Sequence, residues 1–283
     1  MSGRALALVL CAAAIHATWN ALAKRARDPI AFLWSAMAVA TVALAPLGAR
    51  HLPEGGVPAG AIPFLAATIV IHAVYFYALA RGYASGGDLS LVYPISRGLG
   101  VALVPVVGLA VLDERPSLLG GLGVALVVMG IVAISLASTR SARVLGAGTG
   151  WALLTGLTVA AYSLVDKVGV TRLHPMPYLA ILGAGMSLLL APVALRARGA
   201  LTTEWRVNWR TILLASTLNL TSYLLVLFAF RLAKAGYVVA ARESSIVLSV
   251  LIGWRWLGEG NLARRLAGAA VVLAGVVCVA LAR

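Results

Sequence analysis

The sequence alternates long apolar runs with short polar segments. Ten of the runs, each of about 20 residues, are long enough as helices to cross a hydrocarbon core about 30 Å thick. They lie near residues 5–24, 29–49, 59–80, 89–112, 118–138, 148–167, 176–195, 210–230, 235–257 and 265–282. The pattern predicts an all-α integral membrane protein with ten transmembrane helices.

The composition agrees with this class of protein. Hydrophobic residues make up 61% of the chain and charged residues only 11%, and the mean hydropathy is +0.97. The formal net charge of +14 does not indicate nucleic-acid binding, because most of the basic residues flank apolar runs, where they reach lipid headgroups. The expected surroundings are therefore a lipid bilayer.

The two halves of the chain carry the same features at a constant offset. The matched pairs are Arg97 with Arg242, Glu114 with Glu259, Gly123 with Gly268 and Gly130 with Gly275. We therefore expect two five-helix repeats, residues 1–143 and 144–283. Because each repeat has an odd number of spans, the second enters the membrane from the opposite side. This predicts an inverted repeat around a central cavity, as in many transporters.

A guanidinium group lies inside the fourth apolar run. If Asp88 caps that helix, Arg97 lies nine residues further in, about 13 Å at 1.5 Å per residue, close to the bilayer midplane. A charge at that depth costs roughly 2.5–3.5 kcal/mol when it faces lipid, so we expect Arg97 to face a polar interior. Pro94 predicts a kink beside it, and Pro94 and Pro105 are the expected hinges of this helix.

Polar and aromatic residues lie on one face of several other predicted helices, and with Arg97 they form the expected solute-binding site. The members are His16, Trp19 and Asn20 in the first helix, His72 and Tyr75 in the third, Tyr93 in the fourth, Tyr162 and Ser163 in the sixth, Asn219 and Tyr223 in the eighth, and Arg242, Glu243 and Ser245 in the ninth. In the ninth helix Arg242 and Ser245 lie on one stripe, and Glu243 points roughly 100° away from it. Glu243 has an alternative interpretation as half of a buried ion pair. Glu114 and Glu259 are expected to cap helices or form salt bridges at the surface.

Several of these motifs resemble the EamA family of the drug/metabolite transporter superfamily. They are residues 16–20 (HATWN), residues 87–94 (GDLSLVYP) before Arg97 and Gly98, and Glu114 followed by a glycine-bearing helix. The resemblance implies a ten-helix carrier of a bacterial-type inner membrane, with helices 1, 3, 4, 6, 8 and 9 around the cavity and helices 5 and 10 as support. It also implies export of amino acids or related metabolites. The small multidrug exporters of this superfamily have an acidic residue in the first helix, and this chain has none there.

The favoured hypothesis is a secondary carrier that works by alternating access. Arg97 or Arg242 would hold the carboxylate of an amino acid, and Glu243 or an aromatic face would receive its ammonium. A coupling proton would fall to Glu243, His16 or His72, because arginine does not release one. The alternative is a carrier for anionic solutes such as sugar phosphates or nucleotide-sugars.

A membrane enzyme or lipid flippase would need a nucleophile–base pair or a lateral opening, and the sequence indicates neither. It also contains no motif for a cofactor or a metal, and nothing in it requires more than a monomer. The distribution of basic residues favours termini outside the cell, whereas the family resemblance implies termini inside.

Overall fold

The computed structural model describes residues 1–23, 26–84, 89–138, 148–196, 198–248, 250 and 262–282. These residues are predominantly helical and include no strand. The helices are α1 (Gly3–Ala23), α2 (Pro29–Arg50), α3 (Ile62–Ala84), α4 (Leu89–Leu112), α5 (Leu118–Ser138), α6 (Thr149–Arg172), α7 (Pro175–Arg196), α8 (Arg198–Leu232), α9 (Ala235–Arg242) and α10 (Leu262–Leu281). A 3-10 turn, Ala59–Ala61, precedes α3.

The helices have the length and composition of membrane spans. Within the described residues, eight helices are long and apolar enough to cross a bilayer, and α4 adds a shorter apolar segment, Ser96–Leu112. After α9, residues 244–248 are helical again, and most of the rest of the predicted ninth span lies outside the described residues. The prediction of an all-α membrane protein is confirmed.

Helices α6 and α8 extend beyond their predicted spans, as α3 does by four residues at its C-terminal end. Helix α6 continues to Arg172, about one turn past the predicted end of its span at residue 167. Helix α8 begins at Arg198, and its backbone leaves helical geometry at Asn208 (φ −117°, ψ 16°) before the membrane span. The segment before this kink is fixed by Glu204, whose Oε1 accepts hydrogen bonds from the backbone N–H groups of Arg27 at 2.5 Å and Asp28 at 2.7 Å.

Helices α5 and α10 pack backbone against backbone. A Cβ added at Gly123 would lie 2.7 Å from the Gly275 carbonyl oxygen, and one added at Gly130 would lie 2.7 Å from the Gly268 carbonyl oxygen. The two contacts run in opposite directions along the chain, so the helices are antiparallel. They also exchange matched residues of the two halves, since Gly123 corresponds to Gly268 and Gly130 to Gly275.

The packing of the other helices follows the same exchange. Helix α4 packs on α6 and α9 packs on α1, while α3 packs on α6 and α8 packs on α1. The contact of α9 with α1 corresponds to that of α4 with α6 when each helix is replaced by its counterpart in the other half of the chain. The contact of α8 with α1 corresponds in the same way to that of α3 with α6. The boundary predicted between the repeats, at residues 143 and 144, lies outside the described residues.

A charged pair joins the ends of three helices at one side of the molecule. Lys167 Nζ donates to the carbonyl oxygens of Phe230 at 2.5 Å and Ala233 at 2.7 Å, at the C-terminal end of α8. Glu114 lies 3.5 Å from the same ammonium and accepts from the N–H of Ala235, the first residue of α9, at 2.7 Å. Glu114 therefore caps a helix and forms a salt bridge, as the sequence predicts, but its side chain is only 13% exposed and does not lie on the surface. Its counterpart Glu259 lies outside the described residues.

Candidate functional site

A buried ion pair links α4 to the end of α9. Arg97 Nη2 lies 3.3 Å from Glu243 Oε1, and the two side chains are 8% and 3% exposed. Arg97 therefore faces protein, as its position in an apolar run requires, and the charge opposite it comes from the ninth span. The structure thus realises the ion-pair interpretation of Glu243.

The ninth span is not a continuous α-helix at this point. Helix α9 ends at Arg242, and Glu243 lies in a turn with φ −68° and ψ −7°. The N–H of Glu243 donates to the carbonyl of Ala240 at 3.1 Å, and the N–H of Ile246 donates to that of Glu243 at 2.9 Å. Both bonds span three residues, which is 3-10 geometry, and a tightened turn within a helix is frequent at functional positions. The single helical stripe expected for Arg242 and Ser245 is therefore interrupted.

Three consecutive residues at this turn carry buried polar atoms without a hydrogen-bond partner among the described residues. They are Arg242 Nε, Glu243 Oε2 and Ser244 Oγ. Most buried polar groups in proteins are paired, so an unpaired donor beside an unpaired acceptor needs an explanation such as a bound molecule or water. The turn thus presents a free positive donor and a free negative acceptor within the protein interior.

Arg242 lies between α1 and α8. Its Nη2 is 3.4 Å from His16 Nδ1, and its Cζ lies 5.8 Å from the centre of the Tyr223 ring. Trp19 Nε1 donates to the same His16 nitrogen at 3.2 Å. Because Nδ1 accepts from both side chains, the geometry describes His16 as a neutral imidazole with its proton on Nε2. Within the described residues, no carboxylate lies within 4.0 Å of Arg242.

An aromatic cluster adjoins Arg242 on the side of Tyr223. The His72 ring stacks on Tyr162 at a centroid distance of 4.2 Å and meets Tyr223 edge to face at 5.7 Å. Tyr75 contacts Tyr162 edge to face at 5.7 Å. Helices α3, α6 and α8 thus bring together four of the residues that the sequence assigns to the site.

The structure adds a carboxylate that the sequence reasoning missed. Asp166 is fully buried, and its Oδ1 accepts hydrogen bonds from the hydroxyls of Thr68 at 2.5 Å and Tyr178 at 2.8 Å. Its Oδ2 accepts from the hydroxyl of Tyr223. Hydropathy places Asp166 and Lys167 at the end of the sixth span, where charges are ordinary. The available signal was Asp166 itself, an acid next to an apolar run.

Other predicted site residues use their polar groups locally or occupy the periphery. The Asn20 amide donates to the carbonyl of His16 at 3.0 Å, and the Ser163 hydroxyl donates to that of Val159 at 2.7 Å. Ser245 is buried and Asn219 is half-buried.

Of the two expected hinges, Pro105 has a described side chain and Pro94 does not. Pro105 packs against Gly236 of α9, where an added Cβ would lie 2.8 Å from Pro105 Cβ. The side chains of Tyr93 and Pro94 lie outside the described part of the structure, as does the whole of Asp88.

Comparison with known proteins finds a family match over part of the chain and a likeness of fold over nearly all of it. The model of the EamA-like transporter family matches residues 146–281. A solved structure, titled only as the crystal structure of a protein, has a TM-score of 0.69 and 15% sequence identity to this chain, and the match covers 98% of this chain and 96% of that one. No protein of curated function matches the sequence.

The family match covers slightly less than half of the chain, and the solved structure extends the likeness of fold over nearly the whole chain. Residues 146–281 are thus similar to EamA-like transporters, and the eight long apolar helices among the described residues are typical of a multi-pass membrane protein.

Proposed function

We propose that the protein is a secondary transporter that exports amino acids or related zwitterions by alternating access across a bacterial-type inner membrane. In this proposal residues 1–143 and 144–283 are two inverted five-helix repeats, and the solute binds between them. The exchange of helix contacts between the two halves and the antiparallel packing of α5 on α10 support this arrangement. A carrier of this kind needs no more than one chain.

The difference between the two intramembrane arginines carries the proposal. Arg97 is neutralised by Glu243 at 3.3 Å, whereas no described carboxylate lies within 4.0 Å of Arg242, and its Nε has no partner among the described residues. A guanidinium binds a carboxylate through two parallel hydrogen bonds. We therefore assign the solute carboxylate to Arg242, with Arg97 as the structural partner of Glu243.

The surroundings of Arg242 suit the ammonium end of the same solute. Glu243 Oε2 is a buried acceptor without a described partner, and the rings of Tyr75, Tyr162 and Tyr223 offer faces that attract cations. The site thus offers an unpaired cationic donor, Arg242, beside an unpaired anionic acceptor, Glu243. A zwitterion matches both charges, whereas a solute with a single charge matches only one. Trp19, which binds His16, completes the polar wall on the side of α1.

Movement between the two halves would change the contact of α4 with α9. The ion pair of Arg97 with Glu243 and the packing of Gly236 on Pro105 both lie across this contact. In the proposed cycle Pro94 and Pro105 act as hinges of α4. When the carrier opens on one side of the membrane, α4 and α9 separate at that side and stay in contact at the other. Such rocking around a fixed central site is the usual form of alternating access in inverted-repeat carriers.

Exchange in proteoliposomes tests the function. Vesicles containing the purified protein are loaded with one unlabelled L-amino acid at a time, and entry of the labelled compound is measured. We expect exchange with at least one amino acid, and we expect Arg242→Gln to reduce it about tenfold or more, since a hydrogen bond to a charged group contributes roughly 1.5–3 kcal/mol. Arg115→Gln is the matched control, because the Arg115 side chain is 81% exposed and pairs with Asp113 on the surface.

The same assay tests the second candidate, a carrier for anionic solutes. The unpaired charge of Arg242 would also attract a phosphate ester. Inhibition of exchange by sugar phosphates, without inhibition by any neutral amino acid, would favour that function and contradict the present proposal. The absence of exchange for all amino acids with the wild-type protein would contradict it as well.

A further inference from the structure

We infer that Asp166, Tyr223 and His72 form a site that binds one proton and couples it to the solute at Arg242. The inference rests on the proposed transport function for the coupling, and on geometry alone for the proton. The three residues come from α6, α8 and α3 and form one continuous chain of hydrogen bonds. The proton donors and acceptors along this chain can be counted.

The carboxylate end of the chain is fully occupied. Thr68 and Tyr178 donate their hydroxyl protons to Asp166 Oδ1, at 2.5 Å and 2.8 Å. Both hydroxyls therefore have no second proton to give to another group. The other carboxylate oxygen, Oδ2, is in contact with the Tyr223 hydroxyl alone among the described hydrogen bonds.

The imidazole end fixes the remaining protons. His72 Nδ1 lies 2.9 Å from the carbonyl oxygen of Thr68, which only accepts, and 3.0 Å from the Thr68 hydroxyl, whose proton goes to Asp166, so Nδ1 carries a proton. His72 Nε2 lies 3.2 Å from the hydroxyl oxygen of Tyr223. Tyr223 thus stands between His72 and Asp166 with one proton for two contacts.

One extra proton satisfies both contacts. When Tyr223 donates to Asp166, His72 Nε2 must carry a proton and the ring is an imidazolium. When Tyr223 donates to His72, Asp166 must be protonated instead. The two arrangements contain the same number of protons and differ by a shift of each proton along its hydrogen bond, so the Tyr223 hydroxyl relays the bound proton between the acid and the base.

Loss of this proton breaks the series of hydrogen bonds from Asp166 through Tyr223 to His72. An ionised Asp166 keeps the Tyr223 proton, and a neutral His72 then turns a lone pair towards the lone pairs of the Tyr223 oxygen across 3.2 Å. The Tyr223 side chain must move to relieve this repulsion. Its ring is the surface on which the Arg242 guanidinium lies at 5.8 Å, so release of the proton loosens Arg242 and frees it to bind the solute carboxylate.

The other charged and titratable groups near Asp166, Tyr223 and His72 do not change the number of protons that these three residues share. Tyr162 of α6 stacks on His72, Tyr75 of α3 contacts Tyr162, and Tyr178 belongs to α7. Lys167 follows Asp166, but its ammonium binds Phe230, Ala233 and Glu114. Arg97 of α4 pairs with Glu243, and His16 of α1 lies at the far side of Arg242.

This arrangement gives the sign of the coupling. Because the bound proton holds Arg242 on Tyr223 and its release frees Arg242, each of proton and solute weakens binding of the other. By reciprocity the same factor applies in both directions. A carrier with this linkage exchanges a proton for a solute molecule, and an inward proton gradient then drives export.

Gradient-driven uptake and the pH dependence of exchange together test the proton site. Proteoliposomes with an acidic interior are tested for accumulation of the amino acid found in the exchange screen. We expect Asp166→Asn to lose at least about tenfold in gradient-driven accumulation and to exchange the amino acid slowly at every pH, as the wild type does at acidic pH, because the introduced amide mimics the protonated acid but has no proton that can leave. Tyr223→Phe removes the relay hydroxyl and should lose accumulation to a similar extent.

Tyr178→Phe is the matched control, because it removes another hydroxyl bound to Asp166 outside the relay, and it should keep both activities. Unchanged accumulation in both Asp166→Asn and Tyr223→Phe would overturn the inference. An equal loss of accumulation in Tyr178→Phe, or accumulation driven only by an acidic exterior, would also overturn it.

A second measurement does not depend on any solute. Proton uptake by the purified protein is measured with a pH indicator in weakly buffered detergent while the solution is acidified. We expect the wild type and Tyr178→Phe to take up one proton more per chain than Asp166→Asn, and equal uptake by all three would overturn the proton site. If the wild type exchanged no amino acid but showed this difference, the proposed transport function would fail while the proton site stood.

Discussion

Arg97 and Glu243 join the fourth and ninth spans through a contact of 3.3 Å between Nη2 and Oε1, with both side chains buried. The two residues do not occupy corresponding positions in the halves of the chain, since the counterpart of Arg97 is Arg242. The pair therefore breaks the symmetry of the repeat at the place where a solute would bind. It leaves one arginine neutralised and its counterpart available.

The first prediction concerns the stability of this pair. Arg97→Met or Glu243→Met alone should lower the free energy of unfolding by about 3–5 kcal/mol, because each leaves a buried charge without its partner. The double variant should recover most of that loss. Thermal unfolding in detergent, followed by size-exclusion chromatography, measures all four proteins. Additive losses in the double variant would show that the two side chains do not interact.

The second prediction concerns the contact between α5 and α10. Gly123→Ala should lower the thermal stability, because the new methyl group would lie 2.7 Å from the Gly275 carbonyl oxygen. Gly121, two residues earlier, has no atom within 4 Å of an added Cβ. Gly121→Ala should therefore be neutral or stabilise the helix by up to about 1 kcal/mol. The same thermal assay distinguishes them, and equal behaviour of the two variants would argue against the close packing.

The third prediction concerns pH and a histidine outside the membrane spans. Burial, with smaller contributions from His51 and Arg231, lowers the pKa of His174 below its ordinary value, and the His51 ring stacks on it at 4.7 Å. The unfolded chain then binds a proton more readily than the folded chain. The stabilisation is thus complete above the ordinary pKa of histidine, about 6.5, and is lost as the pH falls towards the lowered value.

Thermal midpoints measured at several pH values test this sign. The wild type should lose stability on acidification from about pH 7 to about pH 5, and His174→Gln should lose less over the same interval. Arg50→Gln, at the exposed end of α2 next to His51, is the control and should follow the wild type. A steeper loss in His174→Gln than in the wild type would refute the assignment.

The sequence predicted the helices well and the site in part, for identifiable reasons. The span of α5 follows from hydropathy alone, because both its ends are marked by polar residues. Arg97 was found because a charge inside an apolar run must have a polar partner. That the partner is Glu243 depends on a 3-10 turn and on packing between distant helices, and neither leaves a pattern in the sequence.

Asp166 is a buried residue of the candidate site that the hydropathy pattern does not identify. Its position near the end of an apolar run is typical of an exposed residue, and only the continuation of α6 to Arg172 places it in the interior. Its three hydrogen-bond donors, Thr68, Tyr178 and Tyr223, come from three different helices. Tertiary packing alone brings them together.

The most direct test of the account compares an amino acid with its methyl ester as inhibitors of exchange. The ester keeps the ammonium and removes the carboxylate charge, so the wild-type protein should prefer the acid by about tenfold or more, equivalent to about 1.4 kcal/mol. Exchange by Arg242→Gln should be inhibited with little difference between the two compounds, whereas Arg115→Gln should discriminate like the wild type. Equal discrimination by Arg242→Gln and the wild type would contradict the claim that Arg242 holds the solute carboxylate.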